Sequence, residues 1–478
     1  SKGLPGLQIV GMGNKAIDEA KERVRSAIKN SMLDFPAKKI VINLAPAELP
    51  KDGTFFDLPI AISILTLSGQ IKQHEIKSKA FIGELSLSGE LRPVKGIINI
   101  LEKLRNSGIN EVFIPLDNLE SSFLIDGIKI IAAKNLKEIF LHLKGEKTIT
   151  NQIIEHNHEK AQNQTELDDI IGQEQAKRAL TIAIAGHHNI LLTGPPGTGK
   201  TMLAQAALNL LPSLSKEEIL EVLKIHGLVE DVDSKISRPF RTPHHTASKV
   251  SIIGGGSKAL PGEISLAHNG VLFLDEMPEF PKSVLESLRQ PLEDRKITIS
   301  RTNRKSSYPA NFMLIATMNP CPCGFYGDET KECTCSPAQI SNYQRKLSGP
   351  LIDRIDMVVN VNRIKNENLL KTTPSKKSEH ANAKKQIEKS LKLQHKRYRC
   401  SNLYNSMAKT NVVKSSFKIS KEAEDLLNLA TSKLDLSVRS YLKILKVSRT
   451  IADLEGSEEI KASHISEAIQ YRQKTETY

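Results

Sequence analysis

The stretch Gly194-Pro195-Pro196-Gly197-Thr198-Gly199-Lys200-Thr201 constrains this chain more than any other. It fits G-x-x-x-x-G-K-[ST]. The apolar run Ile190-Leu191-Leu192 precedes it, and good helix formers from Met202 to Leu211 follow. Strand, loop and helix in that order commit the segment to a parallel α/β sheet with a phosphate-binding turn. Gly194, Gly197 and Gly199 let the backbone curl so that N–H groups face phosphate oxygens. The helix N-terminus that follows adds partial positive charge. Lys200 is expected to reach the outer phosphates of ATP, with Pro195, Pro196 and Thr198 shaping the loop. The Thr201 hydroxyl is expected to ligate Mg²⁺.

A second motif is Val271-Leu272-Phe273-Leu274-Asp275-Glu276. Four apolar residues predict a buried parallel strand. Its two carboxylates fall at the carboxyl end, where ligands bind in such sheets. Asp275 is assigned to the Mg²⁺ shell and Glu276 to the attacking water. A third strand, Phe312 to Thr317, leads to Asn319, whose amide would lie between the two motifs. With Asp168-Asp169-Ile170-Ile171-Gly172-Gln173 upstream, the ordered set resembles an AAA+ ATPase. That resemblance places Ile171 on the adenine side.

The chain has 478 residues, enough for about three domains. No apolar run approaches the roughly 18–20 residues of a membrane helix, and no signal peptide is visible, so a cytoplasmic location is expected. The chain begins at Ser1 rather than Met, so the native start is expected to lie outside it. Net charge is +13, and between Lys365 and Lys414 there are 13 Lys and Arg against three Glu. The excess is therefore local, which points to a polyanion partner.

Residues 1–147 predict an α+β unit. Its strands are expected at Lys38–Ala45, Ala80–Leu87, Glu111–Pro115 and Gly127–Ala132, and its helices at Ile17–Asn30 and Ile97–Ser107. The segments Pro50–Pro59 and Gly83–Gly89 resemble the proteolytic domain of Lon-type proteases, which shares a ribosomal-protein-S5-like fold. In that family a nucleophilic Ser and a Lys complete the site. The matching positions here are Phe55 and Ile98, which can neither attack a carbonyl nor accept a proton. Lys95 is out of register. Residues 148–165 are polar and read as a linker, with His156 and His158 within it.

Arg238 to Ser248 is dense in cationic and turn residues. Arg241, His244 and His245 are expected to face a pore or a neighbouring subunit. Adjacent residues do not point the same way on any regular element, so a metal shared by His244 and His245 is not expected. Lys296–Ser300 and Ser306–Pro309 predict a hairpin whose tip carries Arg301, Arg304 and Lys305, suited to DNA phosphates. Cys321, Cys323, Cys333 and Cys335 fall within fifteen positions as two Cys-x-Cys pairs. Four thiolates at such spacing suit one structural Zn²⁺ at about 2.3 Å. Asp353-Arg354 resembles the arginine finger of the AAA+ subgroup that contains magnesium chelatases and MCM helicases. Ser378–Arg399 predicts a Lys-rich helix. From Ser416 onward apolar residues recur at helical spacing, with Ser420 and Ser463 as N-caps. Arg439 begins one of these helices and looks like the lid arginine that meets the γ-phosphate within the same chain.

Nearly the whole chain resembles the ComM/YifB family of magnesium-chelatase-like AAA+ ATPases. The match rests on NLAPAELPKDGTFFDLPIA from Asn43, RPFRTPHHTAS from Arg238, NPCPCGF from Asn319, SGPLIDRID from Ser348 and SVRSYLKILKVSRTIADLEGS from Ser437. The resemblance implies a homohexameric, ATP-driven DNA helicase that migrates branches as incoming strands are integrated during natural transformation. It also implies an α/β fold in five parts. These are an S5-like, Lon-like domain without its catalytic pair (1–147), the linker (148–165), the AAA+ core with its cysteine cluster (166–364), a basic linker and helix (365–415), and a helical lid (416–478). Two other classes remain open. A metal-insertion motor like the chelatase ATPase subunit is opposed by the basic stretch and by the N-terminal domain, which that subunit is expected to lack. A protein-remodelling motor or protease is opposed by Phe55 and Ile98.

Overall fold

The computed structural model describes residues 6–11, 15–45, 53–150, 165–229, 237–256, 259–301, 304–328, 330–363, 379–400, 402–434 and 436–472. His156 and His158 lie outside them. The chain forms two compact units. One comprises residues 1–159 with 216–236, and the other comprises 160–215 with 237–478.

In the first unit, strands Lys79–Phe81, Glu111–Pro115 and Lys129–Ala133 form a parallel sheet with Glu111–Pro115 central. Gly6–Val10 pairs in parallel with Lys39–Asn43, and Glu84–Leu85 forms a small antiparallel pair with Leu91–Arg92. The strand expected at Ala80–Leu87 is therefore two short ones, which join different sheets. Helix Lys15–Asn30 packs on Asp57–Leu67, a helix the sequence reading did not anticipate. Asp57 is fully buried and takes a two-pronged contact from Arg23, at 2.7 and 3.1 Å, which ties those helices together. A buried carboxylate needs such a partner. Ile98 is buried, and Phe55 packs against the same apolar cluster. The positions matching the protease dyad thus serve packing. Helix Lys216–His226 also belongs to this unit, although its sequence lies inside the segment read as the ATPase core. Leu223 joins the apolar cluster around Ile98, and Asn99 Nδ2 donates to the Lys224 carbonyl at 2.9 Å.

The second unit is built on a five-stranded parallel sheet. Its strands, in spatial order, are Met357–Asn360, Ile190–Thr193, Met313–Met318, Val271–Leu274 and Phe240–Arg241. The three central strands are apolar almost throughout because both faces are covered. Helices Glu174–Gly186 and Lys200–Leu210 pack over the face lined by Ile190, Leu192, Phe273 and Ile315. Helices Glu379–Tyr398, Lys421–Lys433, Val438–Glu455 and Ala462–Gln470 extend that same core. Ser420 and Ser437 cap two of them, accepting from Ala423 and Ser440 backbone N–H groups, each cap contributing about 1 kcal/mol. Ser463 is not a cap. It lies inside the last helix, whose cap position is Lys461.

Asp356 joins the sheet to the helical part. Its carboxylate accepts from the Asn189 backbone N–H and forms an ion pair with Lys443 of helix Val438–Glu455 at 2.8 Å. Burial alone would raise this carboxyl, but Lys443 and His188 outweigh it and hold it at about 2. None of the described helices is long and apolar enough to cross a membrane.

Candidate nucleotide-binding active site

The turn Gly194 to Gly199 leaves the carboxyl end of strand Ile190–Thr193 and enters helix Lys200–Leu210. Gly197 and Gly199 take φ of +76° and +87°, a region side chains avoid. Gly194 is required for a different reason. A Cβ there would stand 2.1 Å from the Val361 carbonyl oxygen. Lys200 is buried, and its ammonium has three protein acceptors: Gly194 O at 2.6 Å, Pro195 O at 2.8 Å and Asn319 Oδ1 at 3.1 Å. An ammonium has three protons, so all are engaged, and a triphosphate must exchange at least one. Burial lowers the Lys200 amine from its ordinary range, while Asp275 and Glu276 pull it back up.

The three motif strands bring their polar ends to this loop. Thr317 donates from Oγ1 to Asp275 Oδ1 at 2.6 Å and accepts from the Glu276 backbone N–H at 2.9 Å. Glu276 itself has φ +49° and an exposed side chain. A non-glycine residue held left-handed at a strand end is a strained position that functional sites tolerate. Thr317 was not singled out from the sequence. Its signal is a hydroxyl in a strand that is otherwise apolar. Thr201 is exposed in the first helical turn. Gln173 Nε2 donates to Thr198 O at 3.4 Å and to Asn362 O at 2.6 Å, so the Asp168–Gln173 box abuts the phosphate loop. Ile171 in that box is 39% exposed.

Asp168 does other work. It accepts from the backbone N–H groups of Glu379 and His380 at 3.2 and 3.1 Å, at the start of helix Glu379–Tyr398. In that helix Lys384, Lys385, Lys389, Lys392 and Lys396 are exposed, whereas Arg397 pairs with buried Asp453. Arg241 is committed to Glu263 at 2.7 and 3.0 Å. The rings of His244 and His245 lie 4.1 Å apart and tilted by 33°. They sit in irregular backbone, where the alternation of a strand does not apply.

Arg354 and Arg439 are brought together, away from the phosphate loop. Arg354 donates to Glu293, to Arg289 O at 2.8 Å and to Pro350 O at 2.7 Å. Arg439 donates to the other oxygen of Glu293 at 2.6 Å. Asn189, which opens strand Ile190–Thr193, donates to the Arg354 carbonyl. Both arginines therefore lie toward the amino end of a strand whose carboxyl end carries the loop, a span of roughly 13 Å at about 3.3 Å per residue. The expectation that Arg439 meets the phosphate of its own chain does not match this placement. Glu293 and Arg439 are about half exposed, at 47% and 46%. Such pairs contribute about 0–1 kcal/mol, so the contact is readily exchanged.

The hairpin forms as expected, with Lys296–Arg301 antiparallel to Arg304–Pro309. Arg301 pairs with Arg304 and Ser300 with Lys305 in the backbone register, beside the undescribed residues 302 and 303.

The four cysteines converge. Cys321 Sγ lies 3.3 Å from Cys323 Sγ and 3.6 Å from Cys333 Sγ, and all four sulfurs fall within 4.8 Å of one another. Tetrahedral Zn–S bonds of about 2.3 Å place sulfurs about 3.8 Å apart, so the set fits zinc. Backbone N–H groups of Cys323 and Tyr326 donate to the Cys335 and Cys321 sulfurs, as outer partners of a metal site do. The Phe325 backbone N–H is the main influence pulling the Cys323 thiol down to about 6. Gly324 lies so close to the phosphate loop that a Cβ on it would be 2.7 Å from Pro196. Protein purified without chelator is expected to carry about one zinc per chain, and stripping it is expected to lower both melting temperature and ATP affinity. Metal analysis finding well under half an equivalent would reject the site.

A parallel sheet with a glycine-lysine loop, an Asp-Glu strand end and an appended helical part is the architecture of a P-loop nucleotide-binding protein. Profiles described as "Magnesium chelatase, subunit ChlI", "Subunit ChlI of Mg-chelatase" and "Magnesium chelatase, subunit ChlI C-terminal" match residues 166–369, 1–118 and 377–472. The chain is 42% identical to "Competence protein ComM" of Haemophilus influenzae across 99% of this chain and 93% of that protein. It is 43% identical to "Uncharacterized protein YifB" of Escherichia coli across 99% and 92%. A Lon protease of Leptospira interrogans is 28% identical over 158 residues, 31% of this chain and 18% of that protein. The chain belongs to the ComM/YifB family. Membership implies ATP and Mg²⁺ as cofactors.

Proposed function

We propose that this chain is the subunit of a homohexameric, ATP-driven DNA motor that migrates branches during recombination of incoming DNA. The observation that carries the reading is whole-chain likeness to a competence protein. The nucleotide site supplies the engine. Lys200 exchanges loop carbonyls for the outer phosphates of ATP. Asn319 and Glu276 orient and polarise the attacking water, while Thr317 fixes Asp275. Thr201 and Asp275 would hold Mg²⁺, which would supply neutralisation of the phosphate charge. Arg354 and Arg439, remote from their own loop, serve the neighbouring subunit's phosphate. The first unit is a protease-like fold whose dyad positions carry apolar side chains, Ile98 in the core and Phe55 packed against it. The exposed lysines of helix Glu379–Tyr398 offer a second basic surface for loading.

Arg301, Arg304 and Lys305 on the hairpin grip the DNA backbone. Replacing all three with Ala is expected to cut unwinding of forked DNA far more than DNA-free ATP turnover. The slope of log affinity against log salt should fall by about 2, at about 0.7 per phosphate contact on single strands. Full-rate unwinding with an unchanged slope would remove the hairpin from the grip.

A chelatase-type motor is the second reading, favoured by the profile descriptions. The N-terminal residues do not separate the two, because 1–118 also match a profile named for the chelatase subunit. Stimulation of ATP turnover does. Forked DNA should raise it, whereas porphyrin with chelatase partner subunits, or unfolded protein, should not.

A further inference from the structure

One carboxylate touches both remote arginines, and it is carried by the short helix that leads into the hairpin. Glu293 accepts from Arg354 on one oxygen and from Arg439 on the other. It lies in the last turn of the short helix Arg289–Asp294, and only Arg295 separates that helix from hairpin strand Lys296–Arg301. Arg354 grips the same helix at its start, through the Arg289 carbonyl at 2.8 Å. Arg295 is anchored to the sheet through the Phe312 carbonyl at 2.7 Å.

We propose that Glu293 is a positioning residue that holds Arg354 and Arg439 as one cationic pair for the neighbouring subunit's nucleotide, and that it relays the pair's movement to the hairpin. The proposal rests on the ring-motor reading and extends it. Two guanidiniums side by side repel, and one shared carboxylate holds them together while leaving a net positive charge. A triphosphate carries more negative charge than Glu293 and suits the same planar N–H forks. It therefore competes for both arginines. When they turn to it, helix Arg289–Asp294 loses its contacts at both ends, and the hairpin base is free to shift about Arg295. When product leaves, Glu293 recaptures the pair. The nucleotide in one subunit thereby sets the hairpin position in the next.

The test uses full-length protein: wild type, Glu293→Gln, Glu293→Asp, Arg354→Ala and the Glu293→Gln/Arg354→Ala double variant. ATP turnover is measured with and without single-stranded DNA, beside binding of a fluorescent ATP analogue and melting temperature. Glu293→Gln is expected to lower kcat about tenfold with KM within about twofold, because the arginines are misplaced while the phosphate loop is intact. Stimulation by DNA should vanish, and Glu293→Asp should restore part of both. The double variant should be no slower than Arg354→Ala, since residues acting as a unit are not additive. Wild-type kcat in Glu293→Gln, undiminished DNA stimulation, or a double variant showing the product of the single losses would each overturn the proposal. If Arg354→Ala itself turns over at full rate, the trans-arginine reading falls and takes the proposal with it. If only Glu293→Gln is normal, the proposal falls alone. Should Glu293→Gln melt well below wild type, Glu293→Asp carries the comparison.

Discussion

Glu276→Gln is expected to bind ATP with near wild-type affinity and to hydrolyse it at least about 100-fold more slowly, the usual cost of losing a positioned proton acceptor. The amide keeps the size of the side chain but cannot polarise water. Its backbone N–H still meets Thr317, so the left-handed turn and the Asp275 contact survive. Lys200→Ala should fail at the earlier step. It removes the ammonium that spans Gly194, Pro195 and Asn319, and with it the cation offered to the outer phosphates. Equilibrium binding of a labelled ATP analogue beside single-turnover hydrolysis separates the two losses. Turnover by Glu276→Gln at the wild-type rate would reject Glu276 as the water-activating group.

Arg354→Ala should lower turnover by about 1,000-fold, the lower end of what an arginine on a transferring phosphoryl group supplies. The loss should be repairable by mixing. An Arg354→Ala subunit keeps a sound phosphate loop, and a Lys200→Ala subunit keeps a sound arginine. In head-to-tail rings assembled from equal amounts, about one interface in four joins a sound loop to a sound arginine. Two nearly dead proteins should together recover a measurable fraction of wild-type activity. No recovery in rings shown by native mass spectrometry to be mixed would place Arg354 outside its neighbour's site.

The nucleotide loop was legible because its chemistry is local. Glycine spacing, one lysine and a strand-ending Asp-Glu pair lie in short windows, and the sheet aligns them by parallel register. The cysteine pairs were legible for the same reason. The Arg439–Glu293 contact was not, because it depends on which end of strand Ile190–Thr193 the Arg439 helix reaches. That is settled by Asp356 and Lys443 rather than by neighbours in sequence. Helix Asp57–Leu67 was missed because it is apolar on nearly every side and shows no helical stripe. Ser463 looked like a cap, but the cap position is Lys461, two residues earlier, and the His464 ring accepts from the Lys461 backbone N–H.

Helix Lys216–His226 changes what counts as a separable part. The chain passes between its two units at residues 159/160, 215/216 and 236/237, so the polar run 148–165 is only one of three seams. A gene truncated there would deliver a first unit lacking the helix that brings Leu223 to the cluster around Ile98. The remaining fragment would carry that helix with its apolar face bare. A single cut at 148–165 therefore does not separate the two units, and a fusion partner inserted there leaves the other two crossings in place.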